Sequence, residues 1–204
     1  MRKAIIFIIL SFFLISTSAF GASLDGRLGL TGKAGALVPL QDNFISSTTG
    51  SRVGLAAGGG LIYGVSKNFA IEADVTHAPS IDVELGGSKA YDATLTDVAV
   101  GLQYRLASDQ RLVPFFGGGA DFIKGSLTHV SGATYDLDWT EGGHVNLGLD
   151  YFLTNGIAFT AEVRGLFAFD GDVKSSGVRV GSYDPMSFIG TLGFRLIIPR
   201  SAFW

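Results

Sequence analysis

The sequence describes a single, unusually apolar domain. The chain of 204 residues is 47% hydrophobic and 16% charged, with 29 glycines and no cysteine. The charged fraction lies well below the roughly 25% of an ordinary soluble domain, and the apolar content argues against disorder. The lack of cysteine excludes disulfide scaffolds, thiolate metal sites and cysteine nucleophiles, and a net charge of −3 gives no basic face for nucleic acid.

The chain begins with the pattern of a secretory signal peptide. Two basic residues precede an apolar run, residues 4–15, and Ala19 and Gly21 supply the small residues of a cleavage site. The run is shorter than the ~20 residues that a membrane-spanning helix needs. We therefore expect residues 1–21 to be a signal peptide and residues 22–204 to be the exported domain. That domain has no comparable apolar run, so it is either a soluble protein outside the cytoplasm or a membrane barrel.

Alternation of apolar and polar residues with period two predicts eight β-strands. The clearest example places Phe69 and Ile71 on one face and Glu72 and Asp74 on the other. One predicted strand is rich in glycine and apolar on both faces, so its phase stays open. In chain order the predicted strands are residues 24–38, 52–64, 69–77, 94–106, 111–123 (the strand of open phase), 143–153, 157–170 and 186–198.

Short and long connections alternate strictly between the predicted strands. The short ones are residues 65–68, 107–110 and 154–156, and the long ones are residues 39–51, 78–93, 124–142 and 171–185. A soluble sandwich has no reason to sort its loops in this way, whereas an outer-membrane barrel places short turns in the periplasm and long loops outside. The pattern predicts an all-β fold, an eight-stranded antiparallel up-and-down transmembrane β-barrel with four extracellular loops.

Aromatic residues cluster near both kinds of connection, which predicts two interfacial girdles. The alternative explanation is that aromatic residues are common in all strands. The first predicted girdle consists of Tyr63, Phe69, Tyr104, Phe115, Phe116, Tyr151, Phe159 and Phe194, and the second consists of Tyr91, Tyr135, Trp139, Phe167, Phe169 and Tyr183.

Full charges on the polar faces predict a network of ion pairs inside the barrel. Eight strands enclose a lumen that side chains just fill, so inward charges of both signs are expected to pair and to leave no wide channel. The pairing itself stays open. The predicted network consists of Arg27, Glu72, Asp74, Asp97, Arg105, Glu162, Arg164 and Arg195.

Two runs of glycine, residues 58–60 and 117–119, lie inside predicted strands. Glycine within a strand marks a bend, a bulge or a close approach of backbones, and a small barrel needs such curvature. A phosphate-binding loop is the alternative, but neither run has the required spacing and no helix follows.

Four segments resemble the superfamily of small eight-stranded outer-membrane barrels, the OmpA/OmpX-like and opacity-protein-like proteins. These segments are residues 68–74, 113–119, 159–164 and 189–196. The resemblance implies residence in the outer membrane of a Gram-negative bacterium, contact with membrane lipid and lipopolysaccharide, and a monomer. It also implies a C-terminal signal for the barrel-assembly machinery, for which the candidates are Phe194, Leu196, Ile198 and Trp204. The chain departs from the family pattern in ending on tryptophan and in carrying Pro199.

The resemblance leaves three functions open. The first is a non-enzymatic anchor or adhesion protein, and the second is a narrow, porin-like pore for small solutes. The third is a lipid-A-modifying enzyme, for which His77, His129 and His144 are the available bases, but none lies in a His-x-Ser arrangement. We expect the first function, with no catalytic residue, cofactor, metal site or nucleic-acid partner, and the extracellular partner stays open.

Overall fold

A computed structural model describes residues 23–41 and 48–199. The expected signal peptide, residues 1–21, and Trp204 lie outside the described residues. No helix among the residues described is long and apolar enough to cross a membrane. The strands are β1 (Leu28–Pro39), β2 (Gly50–Ser51), β3 (Gly54–Gly64), β4 (Phe69–Leu85), β5 (Ser88–Arg105), β6 (Leu112–His129), β7 (Thr134–Thr154), β8 (Ile157–Ala168), β9 (Gly171–Ser175), β10 (Val178–Tyr183) and β11 (Ser187–Ile197).

Eight long strands close into an antiparallel barrel. Each of β3 to β7 pairs with the next strand along the chain, and β8 pairs with both β7 and β11. β1 pairs with β3 on one side and with β11 on the other, which closes the ring. The predicted fold, an all-β barrel of eight antiparallel strands, is therefore confirmed.

The two ends of the barrel differ. At one end, here called the turn end, short connections at 65–68, 106–111 and 155–156 join the strands, as the sequence predicts. At the opposite end, here called the hairpin end, β4 and β5 continue as paired strands as far as Leu85 and Ser88. The long loop that we predicted there is wrong.

Glycine turns explain this difference at the hairpin end. Gly86 and Gly87 both have positive φ angles, 62° and 80°, which is the requirement of the two-residue turn that joins strands of native twist. Ser176 and Gly177 adopt the same conformation between β9 and β10, so residues 171–185 form a hairpin instead of a loop. β6 and β7 likewise extend through most of the predicted loop at 124–142.

The barrel wall is unequal in height. The strands β4 to β7 contain 17 to 21 residues, whereas β1, β3, β8 and β11 contain 11 or 12. The β9–β10 hairpin adds to the tall side because β9 pairs with the upper part of β7. One half of the molecule therefore projects beyond the other at the hairpin end.

Exposure along each strand is inverted relative to a soluble protein. On β11 the apolar Phe194 and Leu196 are 55% and 51% exposed, whereas Arg195 between them and Thr191 on the same inward face are buried. A wall with apolar side chains outside and charged side chains inside is what a barrel surrounded by lipid requires.

The predicted aromatic girdle at the turn end is largely present, with one error. Rings of neighbouring strands touch on the outer face, with centroids 5.1 Å apart for Phe69 and Tyr104 and 5.4 Å apart for Tyr104 and Phe116. Phe159 and Phe194 form a further edge-to-face pair at 5.7 Å. Phe115 does not belong to this girdle, because it points into the lumen and is only 2% exposed.

The second predicted girdle is only half right. Trp139, Phe167 and Phe169 are exposed on the outer face. Tyr183 is buried, and its hydroxyl donates a hydrogen bond to a backbone carbonyl group of β7. Tyr183 belongs to the inner apolar cluster at the hairpin end, and the partly buried Tyr91 and Tyr135 pack against that cluster. The tall strands β5 and β7 therefore continue their inward alternation above the membrane-sized part of the barrel.

Candidate functional site: the barrel lumen

The lumen is filled by three layers of side chains. Along β8, for example, the inward residues run from Ala158 through Thr160, Glu162 and Arg164 to Leu166, which is apolar, then polar, then apolar again. An apolar layer at the turn end includes Leu24, Ile62, Ala70, Val113, Phe152, Ala158 and Ile197. A larger apolar layer at the hairpin end includes Ile81, Val83, Leu95, Ile123, Leu127, Leu137 and Ile189.

The first described residues close the mouth at the turn end. The Leu24 side chain is 1% exposed, and the Gly26 N–H donates to the Gly64 carbonyl oxygen at 2.7 Å. Arg27 lies here and not in the middle layer, with Nη2 donating to the Asn155 carbonyl oxygen at 2.8 Å. The sequence-based placement of Arg27 in the central network is wrong, because this residue precedes the first residue of β1 and its side chain leaves the wall at the mouth.

The structure brings the other seven predicted residues together in the middle layer, in two clusters. In the first cluster, Asp150 Oδ2 accepts hydrogen bonds from Arg105 Nη2 at 2.5 Å and from Arg195 Nη1 at 2.6 Å. Arg195 Nη2 also lies 3.3 Å from Glu72 Oε1, and Gln103 donates to the other oxygen of Glu72. Two guanidinium groups are thus matched by two carboxylates.

The second cluster lies nearer the hairpin end. Lys33 Nζ lies 2.8 Å from Asp74 Oδ2 and 3.4 Å from Glu162 Oε1. Arg164 contacts the same Glu162 oxygen at 3.3 Å and Asp97 Oδ2 at 3.5 Å. One lysine and one arginine therefore hold three carboxylates that come from three different strands.

A buried imidazole extends this cluster. His144 Nδ1 lies 2.9 Å from both carboxylate oxygens of Asp121, which is fully buried. With Asp121 included, the buried residues of the described chain contain six carboxylates against four lysine and arginine side chains. His144 is therefore a structural partner of a buried carboxylate.

An aromatic ring lies against the first cluster. The guanidinium carbons of Arg105 and Arg195 each lie 5.7 Å from the centroid of the Phe115 ring. Cation–π attraction of this kind strengthens when the partners are removed from water. The inward direction of Phe115 therefore contributes to holding two like-charged groups side by side.

The glycines of the predicted curvature runs lie where the backbones approach closely. A side chain at Gly60 or Gly119 would overlap a carbonyl oxygen of the neighbouring strand. A side chain at Gly117 would come within 2.7 Å of Asn146 Oδ1 in the lumen. These glycines let the wall bend sharply around large polar side chains.

Several lumen residues were absent from the predicted network. They are Lys33, Gln103, Asp121, His144 and Asp150, all of which are buried and polar. Their position in the alternation of their own strands could have identified Lys33 and Asp150, because both alternate with outward apolar residues. Asp121 lies in the strand whose phase the sequence leaves open.

The remaining histidines have local partners. His77 Nδ1 lies 2.9 Å from Thr96 Oγ1 on the outer face. His129 Nδ1 accepts the backbone N–H of Ser131 at 3.1 Å and lies 2.7 Å from its hydroxyl oxygen, within one turn. The residues described contain no group of three or more histidines and carboxylates placed to hold a metal ion.

Comparison with known proteins identifies the family. The family model of the outer membrane protein beta-barrel domain matches residues 7–183. The fold is similar to that of OprG from Pseudomonas aeruginosa, with a TM-score of 0.62 and 16% identity over 85% of this chain and 96% of that one. It is also similar to Neisserial surface protein A, with a TM-score of 0.60 and 17% identity over 84% of this chain and 97% of that one.

The N-terminal barrel of Pseudomonas aeruginosa OprF matches as well, with a TM-score of 0.54 and 11% identity over 85% of this chain and 98% of that one. No curated protein sequence matches. At these identities the solved structures support the fold, and the family model supports the location. The chain belongs to the outer membrane protein beta-barrel family and is a protein of the Gram-negative outer membrane.

Proposed function

We propose that this protein is a non-enzymatic, non-conducting outer-membrane anchor that presents rigid hairpins at the cell surface. The observation that carries the proposal is the filled lumen. An apolar layer lies above and below the charged layer, so a hydrated ion would have to cross both. Moving a charge through apolar surroundings without a partner is costly.

The charged layer itself supports a closed lumen. The side chains of Arg105, Arg164 and Arg195 are at most 2% exposed and are bound to carboxylates from strands that are not their neighbours in the wall. A conducting pore would need these pairs to separate, and breaking a buried pair costs about 3–5 kcal/mol. This argument favours the anchor over the porin-like alternative.

Planar-bilayer recording tests the closed lumen. Folded protein is first identified by the shift in gel mobility between unheated and boiled samples. It is then inserted into a planar bilayer, with a known porin inserted in parallel as the positive control. We expect no steady single-channel conductance at any salt concentration. Stepwise, long-lived openings would contradict the proposal and favour the pore.

The hairpin end supports a role in surface contact. Lys89 Nζ lies 2.5 Å from Asp82 Oδ1 across the β4–β5 hairpin and 2.9 Å from Asp92 Oδ2 within β5. On the β9–β10 hairpin, Arg179 Nε lies 3.1 Å from Asp172 Oδ1. Paired strands with cross-strand ion pairs present a defined surface, and functional contacts of rigid scaffolds concentrate on such projecting segments.

Cell adhesion tests this part of the proposal. Cells that express the protein are compared with cells that express a variant with a shortened β4–β5 hairpin. The hairpin is cut back above the membrane boundary, and the variant must still show the heat-dependent gel shift of a folded barrel. Adhesion to a solid surface coated with host-cell extract is expected to fall in the variant. Equal adhesion, or a change in the mass of lipid A on expression of the wild type, would contradict the proposal.

The proposal includes the route to the membrane. Residues 1–21 direct export, and Phe194, Leu196, Ile198 and Trp204 form the signal for the barrel-assembly machinery, with the folded protein a monomer. The outward exposure of Phe194 and Leu196 on the last strand supports this role. Mass spectrometry of the membrane-extracted protein should give a chain that starts after Gly21. An intact N-terminus would contradict the export step.

A further inference from the structure

Three neighbouring strands change from apolar to polar at register-paired positions on the outer face of the wall. The last apolar row consists of Val75, Val98 and Phe122, and the next row consists of His77, Thr96 and Lys124. The members of each row are paired in register across β4, β5 and β6. The second row, here called the boundary row, lies ~7 Å farther towards the hairpin end. Such a change on the outer face is expected where hydrocarbon gives way to lipid headgroups.

The boundary row contains a cation that no carboxylate neutralises. Lys124 Nζ lies over the ring of Trp139, 5.8 Å from its centroid. Within the part of the chain that the structure describes, Lys124 forms no ion pair, whereas Lys89 and Lys174 at the same end of the barrel do. The lysine therefore offers a full positive charge beside an aromatic ring of the kind that favours membrane interfaces.

Hydrogen-bonding groups lie next to this charge. Thr96, paired in register with Lys124, has its hydroxyl oxygen 2.9 Å from His77 Nδ1. His77 and Lys124 are both exposed on the outer face. The row thus combines an ammonium group, a hydroxyl group and an imidazole along one line of the wall.

The carboxylates near the boundary row lie on β7. On the same face of β4 and β5, Asp82 and Asp92 lie farther out and are tied to Lys89. Asp138 lies across from Lys124 in the β6–β7 bulge, and Lys174 binds its carboxylate. Glu141 is exposed on β7 and is paired in register with Phe122 of the last apolar row. This carboxylate sets the edge of the positive region.

We propose that the boundary row and Trp139 dock the phosphorylated headgroup of an outer-leaflet glycolipid, that is, a lipid carrying a sugar phosphate. Lys124 binds the phosphate, Thr96 and His77 supply hydrogen bonds, and Trp139 packs against the sugar. The assignment to the outer leaflet follows from the rule that long hairpins face outward. This contact lies on the outer wall and does not depend on the state of the lumen.

The ligand is a lipid and not a free phosphate because of where the row lies. A single exposed lysine binds a free anion weakly, since exposed charge pairs contribute little in water. A lipid headgroup is already held at this height by acyl chains that pack along Val75, Val98 and Phe122. The phosphate contact then adds to an apolar contact that is continuous with it.

Native mass spectrometry of the detergent-solubilised protein tests the proposal. The probes are lipid A with its phosphates, the same lipid A after phosphatase treatment, and inorganic phosphate alone. We expect retention of phosphorylated lipid A to exceed that of the dephosphorylated form about five-fold, as loss of one charge-assisted contact predicts. Inorganic phosphate should not be retained.

Matched variants locate the contact. Lys124→Gln should reduce retention of phosphorylated lipid A about five-fold, whereas Lys67→Gln, the same charge change at the turn end, should leave it unchanged. Glu141→Gln removes an exposed carboxylate that no lysine or arginine of the described residues binds, one row from Lys124, and should increase retention. Equal losses in the two lysine variants, or equal retention of the phosphorylated and dephosphorylated lipids, would overturn the proposal. The gel shift confirms that each variant is folded.

Discussion

Replacement of Asp150 by asparagine should destabilise the barrel more than any exposed charge change. One carboxylate oxygen of this fully buried residue accepts hydrogen bonds from both Arg105 and Arg195. Asparagine has nearly the same shape and keeps one acceptor oxygen, so the packing stays nearly intact while the negative charge is lost. The two guanidinium groups then face each other with a neutral group between them.

The size of the effect follows from the two hydrogen bonds. A bond to a charged group contributes about 1.5–3 kcal/mol, whereas a neutral one contributes about 0.5–1.5 kcal/mol. In the variant both bonds keep a charged guanidinium donor and lose only the charge of the acceptor, so each falls from the upper to the lower part of the range for charged groups, and the two together lose about 2–3 kcal/mol. The repulsion left between the buried guanidinium groups adds to this, and the upper limit is the 3–5 kcal/mol cost of removing one partner of a buried pair. We therefore expect Asp150→Asn to lower the free energy of unfolding by about 3 kcal/mol.

Urea unfolding of the protein in lipid vesicles measures this change, with the folded fraction read from the mobility of unheated samples. Asp92→Asn is the matched control, because it makes the same chemical change at an exposed ion pair with Lys89 and should cost a small fraction as much. Raised salt should leave the difference between the two variants intact, since buried pairs are poorly screened. If Asp150→Asn and Asp92→Asn shift the curve equally, the assignment of a stabilising role to the middle layer is wrong.

Three further predictions concern single positions. Phe115→Leu removes the ring that faces two guanidinium groups and should cost about 1–2 kcal/mol in the same urea assay; an unchanged midpoint would contradict the cation–π contact. Gly119→Ala should lower the yield of folded barrel, because a side chain there overlaps a carbonyl oxygen, whereas Gly190→Ala, with no atom within 4 Å, should not. A hydrogen bond from Lys89 lowers the pKa of Asp92 below its usual 3.8, so this contact stabilises the folded hairpin above that pH and is lost as the pH falls further. NMR titration of the Asp92 side chain should show a midpoint below pH 3.8 that rises in Lys89→Met. An equal midpoint in the wild type and in Lys89→Met would contradict the pairing.

Alternation predicts the strands, and the sorting of short and long connections is needed to predict the barrel. The limits of alternation are visible at particular residues. Phe194 and Leu196 alternate with Thr191 and Arg195, so the last strand could be assigned a lipid face and a lumen face from the sequence. Phe115 and Phe116 are adjacent and equally apolar, and the glycines that follow carry no side chain. Nothing in that segment could show that Phe115 points inward between two arginines.

The hairpin end was mispredicted for a different reason. Ile81 and Val83 point inward and Asp82 and Glu84 lie on the other face, so the alternation of β4 continues well above the membrane. The predicted strands end at residue 77 and resume at residue 94, which leaves a long connection between them. The pair Gly86–Gly87 inside that connection is nevertheless a strong turn signal. The identities of the ion pairs could not be read from the sequence, because partners such as Lys33 and Glu162 are far apart in the chain and meet only after the wall has closed.

The direction of the lumen ion pairs determines how the barrel can enter the membrane. Apart from the contact of Arg164 with Glu162 inside β8, each central Lys or Arg ion pair joins strands that are not neighbours in the wall, as Lys33 of β1 does with Asp74 of β4. No single hairpin can therefore neutralise its own charges. A partly inserted sheet would turn bare ammonium, guanidinium and carboxylate groups towards hydrocarbon, at a cost of several kilocalories per mole for each ion. We therefore expect insertion and ring closure to occur as one cooperative event, in which the first strand meets the last while the charges are still shielded.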